Sequence, residues 1–130
     1  MSILFLIGRI LFGGFFLKMG ISHFKNRTAM AGYSASKGVP SPMLAVVGSG
    51  ALIFLGGLGV ILGVYVRLSL IFIILFLIPV TFTMHRYWSV ADPDRKMIEA
   101  INFNKNIALL GATCMLLMLP LTLWTFSLWP

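Results

Sequence analysis

The chain has 130 residues, of which 59% are hydrophobic and only 10% charged, with a formal net charge of +7 and a mean hydropathy of +1.01. A soluble domain is nearer half apolar and a quarter charged, so this little charge cannot clothe a water-facing surface and the apolar excess must face lipid. The basic excess then reads as topology signals and headgroup partners for a lipid bilayer, with no nucleic acid among the expected partners.

The first apolar run, 3–21, is near the roughly 20 residues that cross a bilayer, and carries Arg9 and Lys18 inside it. The opening Met1-Ser-Ile-Leu has no basic n-region, and no small-residue cleavage site follows, so no cleaved signal peptide is expected. Loop one, 22–42, predicts a short interfacial helix over 29–37. Thr28 is its expected cap, Gly38 its terminator, and Pro40 and Pro42 prevent continuation. Met30 and Tyr33 share one side of that helix.

The second run, 43–66, is glycine-rich. Gly59 and Gly63 form a small-xxx-small pair that lets backbones approach closely; glycines flanking a buried ligand are the alternative. Tyr65, Val66 and Arg67 must make a tight antiparallel hairpin into the third run, 68–84. Pro79 there, and Pro120 in the fourth run, each deny a hydrogen bond to the carbonyl four residues earlier, so kinks are expected. In loop three, 85–106, Asp92-Pro93-Asp94 signals a helix start, with Met97, Ile98 and Ile101 available to bury one side. The fourth run, 107–129, encloses Cys114, the single cysteine, which is expected to be an inert buried thiol and excludes an internal disulfide. The fold class expected is all-α: one integral membrane four-helix bundle over 1–130, with short interfacial helices in loops one and three.

Basic residues set an orientation. Loop one carries Lys25, Arg27 and Lys37, and loop three carries Arg86, Arg95, Lys96 and Lys105, whereas Arg67 is alone in the opposite turn. The positive-inside rule places loops one and three in the cytoplasm and both termini outside. Trp124 and Trp129 would then anchor the outer interface and Trp88 the inner one. Lys25, Arg27, Lys37, Arg86, Arg95 and Lys96 form a candidate docking surface for a soluble partner.

With alternating spans, His23 and His85 end on the same side, near Lys18 and the segment holding Glu99, Asn102 and Asn106. Polar groups beside hydrocarbon are costly and suggest a site. His23, His85 and Glu99 would make a two-histidine, one-carboxylate set, but nothing in their spacing supports a metal and none is assigned. A pocket for a polar head on an apolar body, such as a quinone or isoprenoid lipid, is the sharper reading. Its candidate ligand-binding residues are Arg9, Lys18, His23, Tyr33, His85, Trp88, Asn102 and Asn106. The plainer alternative is that these groups cap helix ends, bridge loops and meet lipid phosphates. Arg9 either snorkels outward or pairs inside the bundle with a backbone carbonyl, with Thr113 or with a bound anion.

Gly8-Arg9 with the aromatic run Phe12 to Phe16, Gly20-Ile-Ser-His23-Phe24, Met30-Ala-Gly-Tyr33, Gly38-Val-Pro40, Pro79-Val-Thr81 with His85-Arg-Tyr-Trp88, and Phe103-Asn104-Lys105-Asn106 leading to Gly111 occur in order along the chain. In these the chain resembles the DoxX family of small four-span bacterial membrane proteins. The resemblance implies a bacterial inner-membrane location and a link to thiosulfate:quinone oxidoreductases, oxidative-stress complexes, secretion or assembly. It puts quinone forward as a ligand, and a soluble redox protein or a second copy of the chain as partners. The cysteine-pair chemistry of some redox relatives is absent. Three functions are therefore expected to compete. The first is an accessory subunit of a quinone-linked oxidoreductase without catalytic residues of its own. The second is a non-enzymatic scaffold, chaperone or lipid binder. The third is a small anion or solute transporter with Arg9 as the recognising group.

Overall fold

In hydrocarbon no water is present to bond backbone N–H and C=O groups, so apolar runs of this length must satisfy them internally, as helices do. The structure, a computed structural model, describes residues 2–130. Its helices are α1 (Ser2–Lys25), α2 (Arg27–Ser36), α3 (Pro42–Leu62), α4 (Val66–Met84) and α5 (Pro93–Met118), with single 3-10 turns at Tyr87–Ser89 and Leu121–Leu123. Three stretches are long and apolar enough to cross a membrane: α1, α3, and Val66–Ser89, which contains α4. The first half of α5 carries Asp94, Arg95, Lys96, Glu99 and Lys105, which keeps it out of that group.

The long helices pack as a row. α1 lies on α3, α3 on α4 and α4 on α5, with α2 laid across α3, and α1 and α5 at the two ends. The tightest seam is α1 on α3, where glycines spaced by a heptad face each other. A Cβ added at Gly57 would sit 2.5 Å from the Gly13 carbonyl oxygen, and one added at Gly20 would sit 2.8 Å from Phe54. The expected pair Gly59 and Gly63 divides its roles: Gly59 accommodates Ser69 of α4, and Gly63 turns the chain. Phe16, Ile53, Val60, Leu70, Ile73, Phe76 and Leu77 fill the core between these helices.

Helix ends follow local chemistry. Gly38 closes α2 at φ +80°, where the Gly38 and Val39 amides reach back to the Ala35 and Ser34 carbonyls at 3.0 and 3.1 Å. Gly63 closes α3 at φ +65°, and the Val64 amide bonds the Gly59 carbonyl at 2.9 Å. Asp92 caps α5 by accepting from the Arg95 amide at 3.0 Å, with Pro93 at the first helical position.

Several expectations are corrected. The short loop-one helix begins at Arg27, so Thr28 lies inside it and Asn26 precedes it without a side-chain cap. The loop-three helix is not separate: its start at Pro93 runs without a break to Met118. The fourth run is accordingly not one helix over 107–129. Pro120 stops the helix rather than kinking it, because it lacks an amide and pushes Leu119 to extended backbone at ψ 137°. Residues 119–130 fold back instead. The Leu128 and Trp129 amides bond the carbonyls of Leu62 and Gly63, each at 3.0 Å, and the Tyr65 amide bonds the Trp129 carbonyl at 2.8 Å. This return buries Trp124 to 3% exposure, edge-on to Phe5 at 5.2 Å, so Trp124 is a core residue and not an interface anchor. Met97, Ile98 and Ile101 point outward at 56–60% exposure, and Cys114 is exposed on the outer face of α5. The buried residues of α5 are Glu99, Asn106 and Thr113, spaced by sevens. α5 thus turns this polar stripe into the bundle, flanked by Leu109, Leu110, Leu116 and Leu117 packed on the core.

Candidate functional site

Asn106 of that stripe, the C-terminal ends of α1 and α4, the first half of α3, and α2 line a cavity of about 500 Å³. Its walls are largely apolar: Met19 from α1, Met30 from α2, Val46 from α3, and Leu75, Phe76 and Val80 from α4. His23, Tyr33, His85, Lys105 and Asn106 also line it. Volumes of roughly 300–1,000 Å³ with a few placed polar groups are typical of small-molecule sites.

Helix geometry positions these groups. His23 sits in the last turn of α1, and Gly50 of α3 lies against it, where a Cβ would approach the His23 Cβ at 2.7 Å. The missing side chain lets the imidazole enter the bundle at 6% exposure, edge-on to Phe76 at 5.7 Å. His23 Nδ1 donates to the Met19 carbonyl at 2.8 Å; since a carbonyl only accepts, Nδ1 carries the proton and Nε2 is the remaining ring nitrogen. Asn106 is 4% exposed as a residue and lines the cavity, whereas the buried side-chain polar atoms without a partner among the described residues are Trp124 Nε1 and Ser127 Oγ.

At the mouth of the cavity three helices are tied by one carboxylate. Tyr33 of α2 donates its hydroxyl to Glu99 Oε1, and His85, just past α4, donates from Nδ1 to Glu99 Oε2 at 2.6 Å. Lys37 Nζ stands 4.0 Å from Glu99 Oε1 and also lies over the Tyr33 ring. Burial would raise the Glu99 carboxyl, but the bonds from Tyr33 and His85, with the charges of His85 and Lys37, outweigh it and hold the group below its ordinary value. Burial first, then the Glu99 bond and charge, push the Tyr33 phenol up to about 12, against a small opposing effect of Arg95. Glu99 therefore stays ionised and accepts both bonds. Its Oε2 accepts from the proton that His85 carries on Nδ1, whether the ring is neutral or charged, and leaves Nε2 for other partners.

Of the eight residues expected to bind ligand, four line this cavity: His23, Tyr33, His85 and Asn106. Lys18 is exposed on α1. Trp88 meets Tyr87 and Phe103 edge-on at 5.3 and 5.6 Å, and Asn102 accepts from Lys105 Nζ at 3.2 Å. Arg9 lies at the other end of the bundle, buried to 2% exposure. Its Nε and Nη2 donate to the carbonyls of Val60 and Ile61 at 3.0 and 2.9 Å, and Nη1 to that of Thr125 at 2.5 Å. Val60 and Ile61 stand in the last turn of α3, where carbonyls lack helical partners and the dipole is negative, so Arg9 caps that helix from α1 and pins the returning tail. Trp124 lies under the guanidinium at 5.4 Å.

Of the docking residues, Lys25, Arg27, Arg86, Arg95 and Lys96 are exposed, while Lys37 is turned toward Glu99. Glu99 itself was not among the ligand-binding candidates, although its seven-residue spacing from Asn106 and Thr113 put all three on one helical face. Among the described residues no three His, Cys, Asp or Glu side chains gather to hold a metal ion.

No curated protein and no solved structure matches the chain. The DoxX family model matches residues 4–86, from the first turn of α1 to just past α4. The match includes His23, Tyr33 and His85 and ends before Glu99, Asn106 and the Phe103 to Gly111 run. Covering well over half of a chain whose helices are apolar enough for a bilayer, it makes this membrane protein a member of the DoxX family.

Proposed function

We propose that this protein binds a quinone or similar lipid-soluble ligand at the cytoplasmic end of its bundle, as an accessory subunit of a redox or oxidative-stress complex in the bacterial inner membrane. The observation that carries the reading is the apolar cavity with His23, His85 and Asn106 on its wall, the two imidazoles each tied down at Nδ1. Neutral donors and acceptors of this kind suit a carbonyl or hydroxyl head, and the methionine, leucine and phenylalanine walls suit its apolar body.

The apolar half of α5 serves as the fourth membrane segment, completing the row. The basic residues of loops one and three support a cytoplasmic position for the cavity mouth. There Lys25, Arg27, Arg86, Arg95 and Lys96 offer a cationic face to an acidic soluble redox partner. The chain's role is to hold and orient the ligand, with His85 Nε2, backed by Glu99, positioned to exchange a proton with a head-group oxygen.

The test is lipid analysis of the protein purified in mild detergent, beside His85→Ala and Asn106→Leu. Quinone should co-purify in near-stoichiometric amount and fall by roughly 2- to 10-fold in each variant, one lost neutral hydrogen bond being worth roughly 0.5–1.5 kcal/mol. A wild-type extract without quinone, or variants that keep it, would overturn the reading.

A further inference from the structure

We propose that the groove between α1 and α5 holds one anionic phospholipid, with its phosphate at Lys105 and Lys18 and one acyl chain laid along a second cavity of the molecule. α1 and α5 end the row of helices and do not pack closely on one another. The cavity between them, of about 290 Å³, has Phe5, Gly8 and Phe12 of α1 and Ala112, Met115 and Leu116 of α5 in its wall. It shares no lining residue with the larger cavity. Gly8 and Met115 are exposed, so the groove is open on its lipid side.

Lys105 Nζ lies 5.7 Å over the Phe15 ring, which sets the register of these two antiparallel helices. Seven residues on from Lys105 is Ala112, seven back from Phe15 is Gly8, and both line the groove. Lys105 therefore stands at the head of the groove, on its α5 side. From Lys105 to Leu116 is about 16 Å at the helical rise of about 1.5 Å per residue, close to half of a hydrocarbon core of about 30 Å. The groove thus has the length of one acyl chain in one leaflet, with a lysine where the phosphate of that leaflet lies.

Charge selects the headgroup. Lys105 borders the larger cavity as well, but its Nζ is held toward α1 by Phe15 and bonds Asn102 Oδ1 at 3.2 Å. Lys18, three residues on from Phe15, is exposed at the level of Asn102, and its flexible stem reaches the same zone. Among the described residues neither lysine pairs with a carboxylate. Asp92 and Asp94 stand at the start of α5, about three turns or more before Lys105. Glu99 is turned to Tyr33, His85 and Lys37 on another face of α5. At the far end of the groove Arg9 is taken up by the Val60, Ile61 and Thr125 carbonyls, so that end suits hydrocarbon alone. Two cations above an apolar groove match a phosphodiester above an acyl chain. A zwitterionic lipid would bring its own ammonium beside them, and a lipid of net negative charge does not.

The experiment offers the detergent-purified, delipidated full chain equal amounts of dioleoyl phosphatidylglycerol and dioleoyl phosphatidylcholine, and native mass spectrometry counts the adducts. The wild type should carry one phosphatidylglycerol in at least about fivefold excess, the weight of one lysine at an anionic headgroup. Lys105→Gln, a change at an exposed side chain, should lower that ratio about fivefold, and Lys18→Gln added to it should bring the ratio to about one. Ala112→Phe fills the groove, and Gly8→Leu does so from a position where an added Cβ meets nothing within 4 Å. Both should cut the adducts of the two lipids about tenfold, the loss expected for about two buried methylenes, and keep the ratio. Equal adducts on the wild type, or Gln variants that keep the preference, would mark ordinary annular lipid and overturn the site. Filled variants that carry wild-type adducts would overturn it too, since the chain would then lie elsewhere. Inorganic phosphate should displace no phosphatidylglycerol; displacement would make the site one for free phosphate. The quinone reading has its own test in the lipid extract, so either can fail without the other.

Discussion

Glu99→Gln is the sharpest probe of the mouth of the cavity. Glu99 accepts from Tyr33 on α2 and from His85 beyond α4, so it ties α2 to the rest of the bundle. Hydrogen bonds to a charged group contribute about 1.5–3 kcal/mol each, and neutral ones about 0.5–1.5 kcal/mol. Gln keeps the shape and can keep both contacts, by donating to a re-tautomerised His85, so each bond weakens by about 1 kcal/mol rather than disappearing. Tyr33 is 38% exposed, and water recovers part of its loss. The net effect is about 1.5–2 kcal/mol on the opening of α2, which is roughly 10- to 30-fold faster amide hydrogen exchange there.

The pH dependence identifies the cause. The Glu99 carboxyl is lowered in the folded protein, so its contribution is fully present above its ordinary value, near 4.5, and is lost as pH falls through the lower folded value. The difference between wild type and Glu99→Gln in α2 exchange, corrected for intrinsic rates, should be constant from neutrality down to about pH 5 and close below it. A difference that persists unchanged at pH 3, or that never appears at neutrality, would refute the assignment of Glu99 as an ionised tie.

Other outcomes follow from the same structure. Gly57→Val should cost about 3 kcal/mol or more, because the new side chain meets the Gly13 carbonyl and the Leu17 amide, backbone atoms that cannot yield; thermal unfolding in detergent reads the loss. Gly111→Ala, where an added Cβ meets nothing within 4 Å, should be neutral or stabilising by up to about 1 kcal/mol in the same assay. Arg9→Leu strips three carbonyls of their donor and should loosen residues 119–130, seen as protease cleavage in that tail while α2 and its cavity stay protected. Ultraviolet pH titration should show one tyrosine ionising at about 12 and lost in Tyr33→Phe; its contribution to stability is present below the ordinary value near 10 and disappears as pH rises through 12.

The helices and several of their ends were legible in the sequence because they depend on neighbours along the chain. Apolar runs near the bilayer's length must be helical whatever packs on them, and Gly38, Gly63 and the Asp92-Pro93 pair act through bonds only a few residues long. The resemblance to DoxX was legible for a similar reason, since ordered short motifs need no contact map. The last helix was misjudged because hydropathy does not separate an apolar helix from an apolar returning tail. What stopped α5 was Pro120, and what folded the rest back was a set of carbonyls on Leu62, Gly63 and α3 that the tail and Arg9 reach only in three dimensions.

The candidate site shows the same division. Composition alone determined a membrane protein, and the alternation of its apolar runs led to the expectation that His23, His85 and Asn106 gather at one end. Only the tertiary structure decided that Glu99 is the tie between Tyr33 and His85, that Arg9 belongs to the opposite end, and that α5 turns its polar stripe inward. The physical reason is that a side chain's worth in hydrocarbon is set by its partner. Glu99 and Tyr33 are 66 residues apart, and Arg9 and Thr125 are 116 apart, so neither partnership leaves a local trace in the chain.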